Sequence, residues 1–169
     1  MRHSYIKKYD NVKIRQIEKK DLEFLRIWRN NPDNTKFLRK IPYITDEMQK
    51  QWFDSYLEDN AEMAFAIEEL NILHQIVGSM ALYNIEQSRA EVGKILVGEP
   101  KAHGLNVCVN ALNAVKELAR EKLKLKTLYL HVYQDNIPAN IVYERAGFRI
   151  DSEHVADNGM IEYTMSIEL

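Results

Sequence analysis

Residues 90–97 of this chain read Ala-Glu-Val-Gly-Lys-Ile-Leu-Val, and residues 136–148 read Asn-Ile-Pro-Ala-Asn-Ile-Val-Tyr-Glu-Arg-Ala-Gly-Phe. The first segment is rich in Val, Ile and Leu and ends at a turn that contains Gly98, so it predicts a strand. In the second segment, Pro138 suits the first turn of a helix and Gly147 suits its C-terminal cap. A strand and a helix therefore frame the part of the sequence that decides the fold.

The sequence between these two segments predicts one more helix and one more strand. From Val107 onward, apolar residues recur at spacings of three and four, which is the period of one helix face. These residues are Val107, Ala111, Leu112, Val115, Leu118 and Ala119. Residues 127–133, Thr-Leu-Tyr-Leu-His-Val-Tyr, combine β-branched, aromatic and aliphatic side chains and predict a strand. The order from residue 90 is strand, helix, strand, helix.

The N-terminal part predicts a strand followed by two helices. Residues 12–17 alternate apolar and polar side chains, as a half-buried strand does. A helical pattern begins at residues 20–21 and stops before Pro32, because proline disfavours a helical residue in front of it. Thr45 resembles an N-cap, and the acidic residues after it start a second helix that runs to about Glu58.

The remaining segments complete a mixed sheet. Residues 65–67 and 76–83 predict a pair of strands, and the tail from Phe148 predicts a hairpin that turns at Asp157-Asn158-Gly159. The complete order is β-α-α-β-β-β-α-β-α-β-β. It implies a single domain over residues 1–169 of the mixed α+β class, with one largely antiparallel sheet and helices on both faces.

Composition narrows the class of protein. The chain has 23 Lys and Arg against 25 Asp and Glu, a formal charge of -2, which does not favour nucleic acid as a partner. Cys108 is the only cysteine, so no internal disulfide can form, which fits a reducing compartment. The N-terminal residues lack an apolar core of signal-peptide length, and no run approaches the roughly 18 apolar residues of a membrane span. We expect a cytoplasmic protein with no membrane partner, either monomeric or homodimeric.

Two motifs point to a known family. The loop of residues 103–108 leads into the long helix, whose unpaired N–H groups and dipole favour an anion. Asn136-x-x-Ala139-x-x-x-Tyr143-x-x-x-Gly147-Phe148 matches, at every fixed position, a pattern of the GCN5-related N-acetyltransferases, the GNAT superfamily. The chain resembles this superfamily from Val12 onward. The resemblance implies a GNAT-like acyl-CoA N-acyltransferase fold, acetyl-CoA as the acetyl donor, and no metal.

The same resemblance implies a set of cofactor contacts. In the family, a helix start binds the pyrophosphate of the cofactor, and a bulge or splay in the preceding strand frees backbone groups for the pantetheine arm. A tyrosine reaches the sulfur, and an asparagine contacts the cofactor or braces the chain. In this sequence these contacts fall on Leu96, Val97, Gly98, His103, Gly104, Leu105, Asn106, Val107, Cys108, Asn136, Ala139 and Tyr143.

The loop departs from the usual family pattern Q/R-x-x-G-x-G/A. In the register that aligns the helix, His103, Asn106 and Cys108 take the three fixed positions. A second register begins at Lys101 and uses Gly104. Because Asn tolerates left-handed backbone better than most residues, we expect Asn106 to reproduce the turn of the missing glycine. Cys108 is small enough to stand for alanine.

Two residues are candidates for the acid–base chemistry. A primary amine must lose a proton as it attacks the thioester, and the departing thiolate must gain one. The resemblance implies Tyr143 as the acid, with a core aromatic residue as the alternative. Glu91 is our candidate for the base, acting through water, with an exposed carboxylate paired to Arg89 or Lys94 as the alternative.

The acceptor side is defined by weaker signals. Residues 25–32 and 51–53 are similar to the ribosomal-protein alanine acetyltransferase branch and to the branch that acetylates amino groups of nucleotide-linked sugars. In both branches these helices wall the acceptor pocket, which implies as lining residues Arg29, Asn30, Phe37, Tyr43, Trp52 and Tyr83. Arg29 can hold a phosphate or carboxylate, or form a salt bridge with a neighbour. For Trp52 the alternative is simple packing of two helices.

The expected acceptor is the primary amine of a small molecule, such as an amino sugar or a sugar nucleotide. The near-neutral charge favours such an acceptor over a basic ribosomal tail. Two alternatives remain open at this level. One is an N-terminal acetyltransferase of the ribosomal-protein type, and the other is a CoA-binding sensor that keeps the fold without turnover.

Overall fold

The computed structural model describes residues 2–37 and 42–169. Within them the chain forms eight strands and five α-helices. The strands are β1 (Ile6–Tyr9), β2 (Val12–Gln16), β3 (Glu62–Glu69), β4 (Gln75–Tyr83), β5 (Arg89–Val97), β6 (Thr127–Tyr133), β7 (Arg149–Val155) and β8 (Ile161–Glu168). The helices are α1 (Leu22–Asn30), α2 (Pro32–Thr35), α3 (Asp46–Glu58), α4 (Val107–Glu121) and α5 (Ile137–Arg145). None of these described helices has the length and apolar character that a bilayer span requires.

The strands form one sheet in the order β1-β2-β3-β4-β5-β6-β8-β7. Neighbours run antiparallel except β5 and β6, which are parallel. Parallel neighbours need a long crossover connection, and α4 supplies it. The predicted mixed and largely antiparallel sheet is confirmed.

Helices cover both faces of the sheet. On β3, Phe65 and Ile67 belong to the larger core, which also contains the buried face of α4. The alternate residues Ala64 and Ala66 belong to a second core with buried side chains of α1 and α3. Since successive strand residues point to opposite faces, α4 lies on one side of the sheet and α1 with α3 on the other.

Two elements escaped prediction. β1 is a four-residue edge strand with two lysines, too short and polar for a clear alternation, and Lys7 pairs with Glu117 and Glu121 of α4 at 2.8 and 2.9 Å. α2 is a single turn that begins at Pro32, the residue expected only to end the preceding helix. The Asn31 side chain caps this turn by accepting from the Asp33 amide at 3.0 Å.

Local signals of the sequence are confirmed at several element ends. The Thr45 hydroxyl accepts from the Met48 amide at 3.2 Å, so Thr45 is the N-cap of α3. Gly159 has φ +81° in the turn between β7 and β8, a conformation that glycine adopts without steric cost. Gly147 ends α5 with φ +97°.

Candidate active site

The sheet opens between its two parallel strands. The ladder between β5 and β6 consists of the pairs Arg89–Thr127, Ala90–Leu128 and Glu91–Tyr129. β5 continues to Val97 along β4, while β6 continues along β8, so the two strands part after the third pair. Main-chain groups of β5 beyond Glu91 therefore face a groove rather than a neighbouring strand.

A bulge lies in β5 beside this groove. Ala81 pairs with Gly93 and Ser79 pairs with Leu96, so Lys94 and the residue after it oppose a single residue of β4. Lys94 has φ +52°, which is unusual for a residue with a side chain. Bulges redirect a strand and leave backbone groups unpaired. The bulge or splay expected here is present in both forms.

Glu91 lies at the last pair of the ladder and is 8% exposed. Its two carboxylate oxygens accept hydrogen bonds from the Tyr83 hydroxyl and from the Asn84 side-chain amide, both at 2.8 Å. The two suggested cationic partners are engaged elsewhere, Arg89 with Glu86 at 2.8 Å and Lys94 with Glu62. The alternative of an exposed, ion-paired Glu91 is therefore wrong.

Gly93 makes the Glu91 network possible. A Cβ atom at this position would lie 2.5 Å from the Tyr83 hydroxyl oxygen. The glycine thus marks a close approach by a side chain. Burial and the Glu91 carboxylate both raise the pKa of Tyr83 far above its usual value, so its hydroxyl remains a donor at every working pH.

Tyr143 faces the same region from α5. Burial raises the pKa of its hydroxyl well above 10, and the Cys108 thiol adds to the shift. Tyr143 in turn contributes to the raised pKa of Tyr83, the residue that donates to Glu91. The ring of Tyr143 meets that of Phe148 edge-on at 6.2 Å, and Phe148 is completely buried. Tyr143 therefore packs its ring in the core while its hydroxyl stays protonated.

The loop before α4 shows how the chain manages without the usual glycine. Asn106 is the N-cap of α4 and is left-handed, with φ +56° and ψ +18°. Its side chain does not cap the helix, but its Oδ1 accepts from Nη2 of Arg145 at 2.9 Å. At Gly104, φ is +85° and an added Cβ would meet nothing within 4 Å. The left-handed turn expected at Asn106 is confirmed, and Arg145 is an additional residue at this loop.

Some of the other residues predicted to contact the cofactor make specific local contacts, and others place their side chains in the core. His103 lies against β5, with Nε2 at 3.3 Å from the Val97 carbonyl oxygen. Burial raises the pKa of the Cys108 thiol to about 12. The Asn136 side chain accepts from the Ala139 amide at 3.4 Å, so Asn136 braces the start of α5. In the structure, Leu105, Val107 and Leu96 contribute core-facing side chains.

At Gly98 the structure removes only the amide from the predicted backbone contacts. This amide donates to the Val77 carbonyl at 2.9 Å and is not free for a cofactor. A Cβ at Gly98 would lie 2.1 Å from the ring of Trp28. Gly98 therefore serves the packing of α1 on the sheet.

A cavity of about 1090 Å³ lies between α1–α2 and the hairpin of β7 and β8. Its walls come from Arg29, Asn30, Pro32, Thr35, Lys36, Phe37, Pro42, Tyr43, Tyr133, Ala156, Asp157, Asn158, Met160 and Glu162. Four of the six predicted acceptor residues, Arg29, Asn30, Phe37 and Tyr43, are in this set.

Trp52 and Tyr83 do not line this cavity, and their assignment to the acceptor site stays a prediction. Trp52 stacks on Tyr56 within α3, with ring centroids 5.5 Å apart, so it serves helix packing. Tyr83 is the hydrogen-bond donor to Glu91. Tyr83 is also the register partner of Glu91 on the neighbouring strand β4, a contact that the sequence did not predict.

Asn30 has a role in shaping the cavity. Its side-chain amide donates to the Ile44 carbonyl at 2.9 Å, and its Oδ1 accepts from the Ile44 amide at 2.8 Å. Both polar groups of Asn30 are used to hold the segment before α3. Arg29, in contrast, has its pKa lowered by burial alone.

Several site residues were not singled out from the sequence. Asn84 follows β4 in a left-handed turn and reaches Glu91, and no local pattern signals that contact. Tyr129 and Tyr133 alternate with buried residues of β6, so the period of the strand does predict their common face. The hairpin residues of the cavity are more than 100 positions from α1, and only the tertiary fold brings them there.

The comparisons with known proteins decide the family. Residues 11–149 match the profile of the family described as acetyltransferase (GNAT) domain. This chain belongs to the GNAT acetyltransferase family. The predicted enzyme class, an acetyl-CoA-dependent N-acetyltransferase, is confirmed at this level.

Relatives of this GNAT protein include two acetyltransferases. Spermidine N(1)-acetyltransferase of Vibrio cholerae is 24% identical over 88% of this chain and 84% of its own length. Acetyltransferase PseH of Campylobacter jejuni is 28% identical over 82% of this chain and 83% of its own length. Neither similarity selects the ribosomal-protein alanine branch, which stays a prediction.

Solved structures confirm the fold. Spermidine N-acetyltransferase from Vibrio cholerae, in complex with CoA and spermine, superposes with a TM-score of 0.81 at 23% identity, over 94% of this chain and 95% of that one. A GNAT-family acetyltransferase from Bacillus anthracis superposes with a TM-score of 0.82 at 19% identity, over 97% and 98% of the two chains.

The described residues fit the cofactor that the GNAT family implies. The start of α4 presents unpaired backbone N–H groups beside a left-handed Asn106 and an unobstructed Gly104, an arrangement suited to a diphosphate. The groove along β5 offers main-chain groups to an amide-bearing chain. Among residues 2–37 and 42–169, no group of three or more His, Cys, Asp or Glu side chains is arranged to hold a metal ion.

Proposed function

We propose that this GNAT protein transfers the acetyl group of acetyl-CoA to the primary amine of a small molecule, with amino sugars and sugar nucleotides as the favoured class. The observation that supports it is the oriented Glu91 carboxylate at the last pair of the β5–β6 ladder, beside the groove along β5. Glu91 offers a proton acceptor, and Tyr143 of α5 offers a hydroxyl that burial keeps protonated.

Glu91 is the proposed proton acceptor. Its carboxylate is held in one orientation by donors on both oxygens. Each carboxylate oxygen has more than one acceptor site, so Glu91 can still receive a water molecule that relays the amine proton. The hydroxyl of Tyr83 and the amide of Asn84 then act as positioning groups.

Tyr143 is the proposed proton donor. Acetyl-CoA, when bound, supplies the acetyl group and leaves as a thiol. Burial keeps the Tyr143 hydroxyl protonated, and its pKa lies above the roughly 8.5 of an ordinary thiol. A phenol less acidic than the thiol stabilises the departing thiolate by donating a hydrogen bond, and the proton that the amine releases restores the thiol through solvent. Cys108 takes no part as a nucleophile, because burial keeps its thiol neutral.

The acceptor is proposed to be small because of the cavity beside α1. Its volume of about 1090 Å³ is near the upper end of small-molecule sites. A spermidine acetyltransferase among the relatives supports a small amine as well. The formal charge of -2 offers no basic or acidic surface excess that would favour a large charged partner.

The test is acetyl-CoA-dependent thiol release with a panel of amines that covers amino sugars, polyamines, antibiotics and N-terminal peptides, read by mass shift of the product. We expect release with at least one small primary amine and none without an amine. Tight CoA binding without turnover on any amine would favour the sensor. Acetylation of N-terminal peptides alone would favour the ribosomal-protein type.

A further inference from the structure

Arg29 is a cation without a partner. It lies in the last turn of α1, half-buried, and lines the cavity of about 1090 Å³. Within residues 2–37 and 42–169, no side chain or backbone group forms a hydrogen bond or ion pair with it. Arg15 and Arg26, in contrast, pair with Asp21 at 2.6 Å and with Glu23 at 2.7 Å.

A half-buried guanidinium without a partner is costly. Burial removes part of its hydration, and no carboxylate compensates, which is why the pKa of Arg29 falls. Arginine stays charged in proteins, so the cost is not relieved by losing the proton. Its planar fork of donors matches a carboxylate or a phosphate in a two-point contact. An oxyanion that enters the cavity would supply the missing partner.

The acidic residues of the opposite wall do not take this role. Glu162 pairs with Nε2 of His154 at 3.2 Å, and Asp157 is exposed at the tip of the hairpin, where water solvates it. Lys36, on the same side of the cavity as Arg29, adds a second positive charge and lies over the Phe37 ring at 5.1 Å. The α1–α2 wall is therefore cationic.

The cavity and the Glu91 network lie on one strand face. Tyr133 lines the cavity, and Tyr129 is the register partner of Glu91, with both side chains on the same face of β6. Tyr129 and Tyr133 are four positions apart on the strand, a length of about 13 Å. One elongated acceptor can therefore reach from Glu91 into the cavity.

We infer that the acceptor carries an oxyanion, a carboxylate or a phosphate, at the end remote from its amine, and that Arg29 binds this group. This inference rests on the proposed function and adds a charge requirement to it. Polyamines carry only positive charge, so the α1–α2 wall disfavours them as acceptors.

Direct binding tests the inference without turnover. With coenzyme A at saturation, so that its own diphosphate site is filled, inorganic pyrophosphate and succinate are titrated by calorimetry into the wild type and variants. We expect the wild type to bind at least one of them, and Arg29→Gln to weaken that binding at least about tenfold. Arg29→Lys keeps the charge without the fork and should lie between. Arg120→Gln removes an exposed positive charge from the end of α4 and should change nothing.

Turnover provides the second readout. Three eight-carbon primary amines are compared, ending in a carboxylate, a phosphate or a second ammonium. The wild type should acetylate an anionic amine at least about tenfold more efficiently in kcat/KM than the diamine, and the two anionic amines tell a carboxylate site from a phosphate site. In Arg29→Gln this preference should disappear, while Arg120→Gln should keep it.

The outcomes separate this inference from the proposed function. Equal or better acetylation of the diamine by the wild type overturns the anionic acceptor but supports an acetyltransferase. Anion binding that Arg29→Gln leaves intact, or no anion binding at all, also overturns it. Should Arg29→Gln fail to fold, as judged by its melting temperature, Arg29→Lys decides by the same two ratios.

Discussion

The groove beside β5 and the cavity beside α1 are built in different ways. The groove is made by backbone: a ladder that ends, a bulge at Lys94 and a left-handed helix start at Asn106. All of these lie within about 20 consecutive residues. The cavity is made by side chains from α1–α2 and from a hairpin more than 100 residues later. Backbone geometry suits a cofactor that is always the same, whereas side chains can vary with the acceptor.

The largest expected effect tests how strongly the start of α4, beside the groove, is shielded from solvent. A pKa of about 12 lowers the thiolate fraction of Cys108 at pH 8 roughly 1000-fold relative to an ordinary thiol. Labelling of the folded protein by a disulfide reagent should therefore be slow, and labelling in guanidinium should be fast. Rapid reaction of the folded protein would show that the start of α4 is open to solvent.

The next effect concerns Tyr143, the proposed hydrogen-bond donor to the departing sulfur. Tyr143→Phe removes the donor, and we expect kcat to fall about 100-fold or more while the affinity for acetyl-CoA changes less than about twofold. Because burial raises the pKa of this hydroxyl well above 10, the wild type should show no loss of kcat up to pH 10 from its ionisation. Tyr163→Phe, an alteration of a tyrosine bonded to Gln134, is the control. An unchanged kcat in Tyr143→Phe would remove this residue from the mechanism.

Glu91 lies at the last pair of the β5–β6 ladder, beside the groove, and the effect of its substitution should be smaller. Glu91→Gln keeps an acceptor for Tyr83 but removes the negative charge, so kcat/KM should fall about 30-fold, most at low pH, where the amine is hardest to deprotonate. Pre-steady-state and steady-state rates measured across pH provide the test. Tyr83→Phe, which loses only the orienting bond of 2.8 Å, should cost less. If both variants lose thermal stability but keep the wild-type pH profile, Glu91 is structural.

The smallest effect tests the loop that departs from the family pattern. Asn106→Ala must hold a left-handed backbone at a cost of about 1 kcal/mol, so affinity for coenzyme A should fall about fivefold. Asn106→Gly adopts this conformation freely and should stay within about twofold of the wild type. Calorimetry with coenzyme A measures both. Equal affinities for the two variants would mean that the side-chain contact with Arg145, and not the backbone, sets the loop.

The difference between the two regions also explains what the sequence could predict. Strand and helix periods located β5, α4, β6 and α5, and the tyrosine pattern located Tyr143, because each of these signals is local. The left-handed turn at Asn106 followed from the tolerance of one residue type. The bulge could be expected, although its position at Lys94 could not.

Contacts between distant residues could not be predicted. Nothing near Tyr83 in the sequence indicates that it donates to Glu91, so its role as the group that holds this carboxylate became visible only in the fold. For Trp52, stacking on Tyr56 and a role in the acceptor site share the same helical spacing, so the sequence cannot choose between them. The amide of Gly98 could be judged only once its pairing with Val77 was known.

The absence of a Cβ atom at Gly93 limits how this enzyme can be engineered. With only 2.5 Å available above Gly93, even the smallest side chain there forces the neighbouring phenol to swing aside. A library that varies residues around the cavity beside α1 should therefore keep position 93 fixed, since a single methyl group there would displace the phenol that holds the Glu91 carboxylate.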